Sequence, residues 1–434
     1  MPAKAELFAR DEWRKHGSII PACVAGMILV AVHNYTLGVM IHPLEQEFGW
    51  SRAEISVGPM IPSLGAVIMA PLVGLAVDRF GPRRIALFGV PFFSAAVALM
   101  SFASSSIMSW WALCALLGIA SMFIFPMVWT SAISARFHRN RGLALAIALS
   151  GTGIAASIMP LLATWLLGLY GWRGAYVSIG LLCFAVTFPL VFFLFCRGGP
   201  RTFDDHSGSE RAKNRAAARG QMLSKRFILL AAAAAVFSAA LCALTSNAVP
   251  ILLSEDFDPM TAAAIAGLIG LGTITGRLAG GVLLDLFDGR YVAAASVVAP
   301  TLTAAILLAT QGSREGATVA CLLLGLAAGA EYDACAYLTA RYFGTRNFAT
   351  LFGLIAGIVL LVNGVAPALS NRVYDVTKSY DAVLWALIPM FATAALLFLA
   401  LGKAQDVDKH EPGGFDESRF ERAHRDRQAE RQGP

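Results

Sequence analysis

The chain has 434 residues, of which 57% are hydrophobic and only 14% are charged. Water-soluble domains contain about 25% charged residues, so this composition excludes an ordinary soluble protein and is typical of a chain that crosses a bilayer many times. The net charge of +6 is spread over many loops, which indicates how membrane segments are oriented and does not indicate nucleic-acid binding.

Twelve apolar segments are long enough to cross a bilayer, since a membrane helix needs about 20 mostly apolar residues. We predict an all-α membrane protein with twelve transmembrane helices in two pseudo-symmetric six-helix bundles, at 18–195 and 227–402. The segments 1–17, 196–226 and 403–434 are polar, and we expect a cytoplasmic N-terminus, a cytoplasmic linker and a disordered cytoplasmic tail. The spans, numbered one to twelve, are predicted at 18–41, 53–77, 84–102, 107–134, 143–168, 172–195, 227–253, 261–286, 291–311, 317–340, 347–370 and 381–402.

The distribution of cations predicts the orientation. With both termini in the cytoplasm, most of the 34 Lys and Arg residues fall in cytoplasmic segments, as the positive-inside rule requires. Met1 to His16 are charged and polar, which predicts no cleavable signal peptide ahead of span one. We therefore expect a multi-pass protein of the bacterial inner membrane.

Span one carries His33 and Asn34 in its outer half. A lone histidine in a membrane helix more often packs than binds a ligand, although it can titrate near neutral pH. A substrate-binding role for this pair and a packing role both stay open.

Spans two and three are joined by the sequence Gly-Leu-Ala-Val-Asp-Arg-Phe-Gly-Pro-Arg-Arg, residues 74 to 84. Gly81 and Pro82 favour a tight reversal of the chain. Asp78 stands at the negative end of a helix dipole and needs compensation from nearby cations. The sequence predicts a conformational motif, against the alternative of a solvated charged loop. Its residues are Gly74, Asp78, Arg79, Gly81, Arg83 and Arg84.

Span five contains Gly151, Gly153 and Pro160. Small residues let membrane helices approach closely, and proline bends a helix. This combination predicts a gating helix.

A shift of 207 positions superimposes the two halves of the sequence, for example Asp78 on Asp285 and Pro160 on Pro367. One offset matches both a loop and a distant proline, which indicates an internal duplication. The second half thereby gains counterparts of the motif and of the gating helix. They are Gly281, Asp285 and Arg290, and Gly364 and Pro367.

Arg277 in span eight is the strongest candidate for a binding residue. A charge at bilayer depth costs at least about 2.5 to 3.5 kcal/mol, so an intramembrane arginine is a functional candidate by default. A guanidinium stays charged and binds a carboxylate through two hydrogen bonds. The alternative is a structural ion pair with an acid of span ten.

Glu331 and Asp333 in span ten are candidates for proton coupling. They stand two residues apart, roughly 200° around the helix, so they cannot share a face. Arg277 and Asp333 lie eight residues before Asp285 and Arg341, which places them at about the same depth. Helix-packing hydrogen bonds are the alternative role for both acids. Tyr332 and Tyr337 flank the acids, and we count them as substrate-binding candidates that could instead simply pack.

The two six-helix halves, the motif and its second copy resemble the major facilitator superfamily. The stretch 43–56, the Gly276-Arg277 pair and the Gly325 and Gly329 spacing are most similar to the monocarboxylate transporters and their oxalate:formate antiporter relatives. This resemblance implies transport by alternating access, with an arginine of span eight on the substrate carboxylate.

We therefore expect a secondary active transporter of small organic monocarboxylate anions, coupled to proton symport and acting as a monomer in the lipid bilayer. A proton-driven exporter of amphipathic compounds, an organic-anion exchanger and a non-transporting membrane sensor are the alternatives. The sequence contains no phosphate-binding Gly-Lys-Ser or Gly-Lys-Thr loop, no metal-ligand cluster and no nucleophile elbow. We expect no enzyme activity, no cofactor and no metal, and the scattered cysteines read as core residues.

Overall fold

The computed structural model describes residues 12–14, 16–137, 140–195, 220–344 and 348–402. The predictions for the tail, for most of the linker and for most of the N-terminal segment fall outside this part of the chain. The described residues are helical almost throughout, as the composition predicts.

The first half contains six spans. Gly171, at φ 67° and ψ 177°, interrupts the last long helix and separates span five from span six, at the predicted turn. This positive φ favours glycine. The helices are Ile19–Phe48 (span one), Arg52–Phe80 (two), Pro82–Leu99 (three), Ile107–Met122 and Pro126–Ser134 (four), and Arg141–Leu149 and Gly151–Leu194 (five and six).

In the described part of the chain, ten helical stretches are long and apolar enough to cross a membrane. One of these stretches, Gly142–Leu194, is divided at Gly171 and contains spans five and six.

The second half repeats the plan of the first half. The helices are Lys225–Ser246 and Ala248–Ser254 (span seven), Pro259–Leu286 (eight), Gly289–Ser296 and Val298–Ala309 (nine), Arg314–Phe343 (ten), Phe348–Thr377 (eleven) and Asp381–Leu399 (twelve).

Four spans that the sequence predicts as continuous are each built from two helices, namely four, five, seven and nine. In span four the second helix starts at Pro126, which has no backbone N–H to continue a helix but fits the first turn of a new one. In span seven the break falls at Asn247, whose side-chain amide donates to the Ala243 carbonyl and to Ser370 Oγ, both at 2.9 Å.

The bundle has two faces, defined here by its turns. The distal face contains the turns between spans one and two, seven and eight, and eleven and twelve, and the proximal face contains the turns at Gly81 and Gly344. On the distal face, Ser51 and Glu54 form a reciprocal capping box, with hydrogen bonds of 3.2 and 2.9 Å. Asp258 caps span eight by accepting from the Thr261 N–H, and hydrogen bonds from the Thr261 side chain and backbone hold the pKa of Asp258 below its usual value.

The two halves meet through spans five and eight and through spans two and eleven, and within the second half span eight packs along span ten. Spans five and eight approach at glycines: a Cβ added at Gly270 would meet the Gly153 carbonyl oxygen and Ser157. In span eleven, a Cβ at Gly364 would meet Ser63 of span two. These glycines let the backbones of opposite halves come into direct contact.

The other residues of the predicted gating helices also lie at packing positions. A Cβ at Gly151 would meet the Val24 carbonyl oxygen of span one. Pro160 and Pro367 both lie inside their helices. The Thr164 hydroxyl donates to the Pro160 carbonyl at 2.8 Å, and the Ser370 hydroxyl donates to the Pro367 carbonyl at 3.0 Å.

The turn between spans two and three depends on Gly81, whose φ is 79°. Arg83 donates to the Phe192 carbonyl at the end of span six at 2.9 Å, and the Arg79 guanidinium lies 5.5 Å from the centre of the Phe80 ring. Arg84 is exposed, and the side chain of Asp78 lies outside the described residues.

The second copy of this turn is built differently. Asp288, with a φ of −63°, replaces the glycine and caps span nine by accepting from the Arg290 N–H at 3.2 Å. The same carboxylate pairs with Arg290 Nε at 3.2 Å. Gly281 has open space around it, and Asp285 is exposed.

Candidate functional site

Arg277 and Asp333 form an ion pair inside the membrane-spanning part of the second half. Arg277 Nε lies 3.5 Å from Asp333 Oδ2, and the two side chains are 15% and 32% exposed. Arg277 stands nine residues before the end of span eight at Leu286, which is about 14 Å along the helix. The pair therefore lies on the proximal side of the middle of the bundle.

Glycines bring the two helices close enough for this pair to form. A Cβ at Gly329 would lie 2.6 Å from the Arg277 backbone nitrogen, and one at Gly276 would meet Leu326. The backbones of spans eight and ten are nearly in contact at these glycines. Side chains on the same side of the helix–helix interface can therefore reach each other.

The Arg277 guanidinium is not fully satisfied by this arrangement. Its Nε and Nη1 atoms are both buried, and neither has a hydrogen-bond partner among the described residues. Buried donors without partners are rare and costly, so these two nitrogens favour an additional hydrogen-bond acceptor at this position. A planar guanidinium with free donors is suited to a carboxylate.

Glu331 points to a different environment. It lines a small cavity of about 160 Å³ between spans one, seven, ten and eleven. The two candidate acids of span ten, Glu331 and Asp333, therefore have different neighbours. Asp333 pairs with an arginine of span eight, and Glu331 lines a polar cavity. The polar lining residues of the small cavity are Asn34, Tyr35, Ser238, Cys242, Thr245, Ser246 and Asn363.

A larger central cavity of about 260 Å³ lies between the two halves. His33 and Asn34 of span one line it from the first half, and Asn363 of span eleven lines it from the second half. The two cavities share Asn34, Cys242, Ser246 and Asn363. The ion pair is linked to the small cavity through span ten, since Glu331 lines this cavity and Asp333 follows it by two residues.

The two candidate tyrosines of span ten, Tyr332 and Tyr337, lie outside the lining of both cavities. Tyr332 is 46% exposed, and its ring makes an edge contact with Phe352 of span eleven, with the ring centres 5.2 Å apart. Tyr337 packs against Gly289 at the start of span nine. Tyr337 therefore has a packing contact, which is the alternative role that the sequence left open for it.

A cluster on the distal face was missed in the sequence. Arg52 is only 8% exposed, and its Nε donates to Glu45 at 3.1 Å while its Nη1 donates to the Tyr380 hydroxyl at 3.2 Å. The backbone N–H groups of Arg52 and Ala53 donate to the Asp375 carboxylate at 3.1 and 2.9 Å.

Further contacts extend this cluster, which we call the distal latch. The Arg52 guanidinium lies 3.9 Å from the centre of the Tyr374 ring. Asn371 donates to Ser56 at 2.7 Å and accepts from the Tyr380 hydroxyl at 2.8 Å. The latch joins the start of span two to the end of span eleven, so it ties the halves together on this face. Its only sequence signal was an arginine in a short external segment.

Three comparisons place the chain among known proteins. A family model described as Major Facilitator Superfamily matches residues 23–367 and 231–429. The chain is 25% identical over 333 residues to monocarboxylate transporter 13 of Rattus norvegicus, covering 74% of each chain. It is also 25% identical over 388 residues to monocarboxylate transporter 11 of Mus musculus, covering 85% of this chain and 83% of the relative.

Among solved structures, the chain resembles the nucleoside transporter NupG. The TM-score is 0.69 at 14% identity, covering 89% of this chain and 100% of NupG. At this identity the likeness is one of fold.

Proposed function

The chain belongs to the major facilitator superfamily, and on this premise we propose that it carries small organic monocarboxylate anions across the membrane together with a proton. The observation that carries the proposal is the Arg277 guanidinium, which is fixed at membrane depth with two buried nitrogens that lack hydrogen-bond partners. The printed names of the relatives point to the same class of solute.

In the proposed binding step, the substrate carboxylate accepts hydrogen bonds from Arg277. A charge-assisted pair of this kind supplies orientation as well as affinity. The carboxylate enters beside Asp333, whose Oδ2 is 3.5 Å from Arg277 Nε. One guanidinium would then face two negative charges in a poorly hydrated site, which is unfavourable.

Protonation of Asp333 removes this conflict. A neutral Asp333 leaves the full charge of Arg277 to the substrate, so anion and proton bind together. When the proton leaves, Asp333 regains its charge, competes for Arg277 and displaces the anion. Glu331, in the adjoining polar cavity, is the second candidate for the proton site.

Movement of the two halves would then change which face is open. The glycine contacts of spans five and eight and of spans two and eleven supply a close interface for this movement. The distal latch closes one face in the state described here. By the positive-inside rule we assign the proximal face, the linker and both termini to the cytoplasm of a bacterial inner membrane. Accordingly, the proposed state is closed to the outside.

The test is uptake of labelled organic acids by proteoliposomes, with and without an inward proton gradient. We expect Arg277→Leu to abolish uptake, because no other cation replaces the guanidinium at that depth among the described spans. Arg314→Leu, which removes an exposed cation at the distal end of span ten, serves as the matched control. Uptake by Arg277→Leu at the rate of the control would refute the proposed site.

A second candidate is a proton-driven exporter of amphipathic compounds. The observation that favours it is the apolar wall of the central cavity, which includes Pro59, Pro62, Phe93 and Phe125. An exporter of amphipathic cations would depend on Glu331 and would not need Arg277. Export that survives Arg277→Leu and is lost in Glu331→Gln would favour this alternative over the anion carrier.

A further inference from the structure

We propose that the central cavity contains a hydroxyl-binding subsite formed by His33 and Asn363, so that the transported acid carries a hydroxyl group on a ring-sized apolar body. The identity of the ligand as an acid rests on the proposed function, whereas the hydroxyl subsite is argued from the cavity alone.

Two polar atoms in the lining of the central cavity have no partners. His33 Nε2 in span one and Asn363 Oδ1 in span eleven are both buried, and neither has a hydrogen-bond partner among the described residues. Buried polar groups in proteins are nearly always paired, so two orphans in one cavity point to a ligand. The two residues line the same cavity from opposite halves, so a ligand in this cavity lies between them.

The chemistry of these atoms selects a hydroxyl. A carboxylate only accepts hydrogen bonds, so it cannot satisfy the carbonyl oxygen of the Asn363 side chain. A hydroxyl both donates and accepts, so it can donate to Asn363 and also pair with His33 in either tautomer. The backbone of Asn363 is held in place, because its carbonyl accepts from Cys242 Sγ at 3.4 Å.

The other residues that line the central cavity indicate the size and polarity of the ligand part to which this hydroxyl is attached. The wall is formed by rigid or aromatic apolar side chains, among them Pro59, Pro62, Phe93, Phe125 and Leu360. A cavity of about 150 Å³ holds a benzene ring. The volume of about 260 Å³ therefore has room for a ring and is larger than a three-carbon acid needs.

The position of the small cavity indicates where the carboxylate of the ligand would lie. It continues from Asn34 and Asn363 to Glu331 of span ten, the helix that also carries Asp333, the ion-pair partner of Arg277. A ligand with its hydroxyl at His33 and Asn363 thus has its acidic group on the side of Arg277. The expected ligand is a hydroxylated aromatic or alicyclic acid in which ring and carboxylate are joined by a short arm.

The test uses Cys242, which lines both cavities and is partly exposed. Alkylation of the Cys242 thiol by N-ethylmaleimide in the purified protein is followed by mass spectrometry. Four probes are compared for protection: 4-hydroxyphenylacetate, phenylacetate and the methyl esters of these two acids. Each acid differs from the other acid only in the ring hydroxyl and from its own ester only in the charged carboxylate, so the two groups are tested separately.

We expect each hydroxylated probe to protect Cys242 at a concentration about tenfold or more below that of its deoxy partner, because a site built for a hydroxyl discriminates against its absence. Asn363→Leu should remove this preference. Ser121→Ala is the matched control, since Ser121 lines the same cavity but already donates to the Gly118 carbonyl at 2.7 Å.

The outcomes separate the two proposals. Equal protection by hydroxylated and deoxy probes in the wild-type protein would overturn the hydroxyl subsite, whether or not acids bind better than esters. A hydroxyl preference in a set where the acids protect no better than the matching methyl esters would support the subsite while contradicting the role of Arg277 as the carboxylate site. A hydroxyl preference that persists in Asn363→Leu would overturn the assignment to Asn363.

Discussion

At the scale of single residues, the central feature is the incomplete pairing of Arg277. Its guanidinium lies within ion-pair distance of Asp333 but does not form a hydrogen bond with it. Asp333 lies within ion-pair range, yet Nε and Nη1 of the guanidinium are buried without acceptors. A fully satisfied structural ion pair would have used these donors. This incomplete pairing favours the proposed binding role of Arg277 over a purely structural ion pair.

The Asp333 side chain gives a prediction about pH. Asp333→Asn keeps the size of the residue but can neither carry the charge that competes with a bound anion nor release a proton. We therefore expect uptake by this variant to lose its stimulation by an inward proton gradient, while exchange of labelled for unlabelled acid continues. Lower external pH drives wild-type uptake and should not drive uptake by the variant.

The measurement is uptake by proteoliposomes at several external pH values with a fixed internal pH. Glu331→Gln is the matched variant, because it neutralises the other acid of span ten. Full dependence on the gradient in Asp333→Asn, together with its loss in Glu331→Gln, would move the proton site to Glu331.

At the scale of helices, the glycine contacts between spans five and eight carry the packing of the two halves. A Cβ at Gly270 would overlap the Gly153 carbonyl oxygen, which is backbone and cannot rotate away. We expect Gly270→Ala to destabilise the protein by about 1–3 kcal/mol, the usual cost of overpacking. Thermal unfolding in detergent, followed by tryptophan fluorescence, measures the change.

Gly357→Ala is the control for this prediction, since a Cβ at Gly357 in span eleven meets nothing within 4 Å. That change should leave stability unchanged or raise it slightly, because alanine favours helix more than glycine does. Equal melting temperatures for Gly270→Ala and the wild type would contradict the close helix contact.

Helices are also where the sequence was most informative. The apolar segments predicted the spans, and helical rise predicted that Arg277 and Asp333 lie at one depth, because both features depend on positions along single helices. The breaks at Asn247 and ahead of Pro126 were not predicted, because hydropathy averages over a break that keeps the segment apolar.

Contacts between distant segments could not be predicted in the same way. Asp375 bonds to the backbone of Arg52, and the two residues are 323 positions apart. No periodicity or motif links them, since their contact depends on how the two halves pack. For the same reason, the orphan atoms of His33 and Asn363 became visible only once spans one and eleven were placed together.

At the scale of the whole molecule, we expect the distal latch to bias the balance between the two open states. Hydrogen bonds to charged groups, like those of Arg52 with Tyr380 and of Asp375 with the start of span two, are worth about 1.5–3 kcal/mol each when removed. We expect Arg52→Ala to shift the population toward opening of the distal face by roughly tenfold or more, since 1.4 kcal/mol corresponds to a factor of ten.

Distances between spin labels at Ser104 and Gln311, on the distal turns of opposite halves, measure this shift in a variant whose native cysteines are replaced. Arg173→Ala is the control, because Arg173 pairs with Glu47 within the first half and so does not connect the halves. An unchanged distance distribution in Arg52→Ala would show that the latch does not hold the distal face closed.

The most direct measurement of the central claim is equilibrium binding of an organic monocarboxylate and of its neutral carboxamide to the purified protein. We expect the wild type to bind the acid more tightly than the amide by a factor of about ten or more, because only the acid forms a charge-assisted pair with Arg277. Arg277→Leu should bind both ligands equally weakly. Binding of the acid by Arg277→Leu with wild-type affinity would contradict the assignment of Arg277 as the carboxylate site.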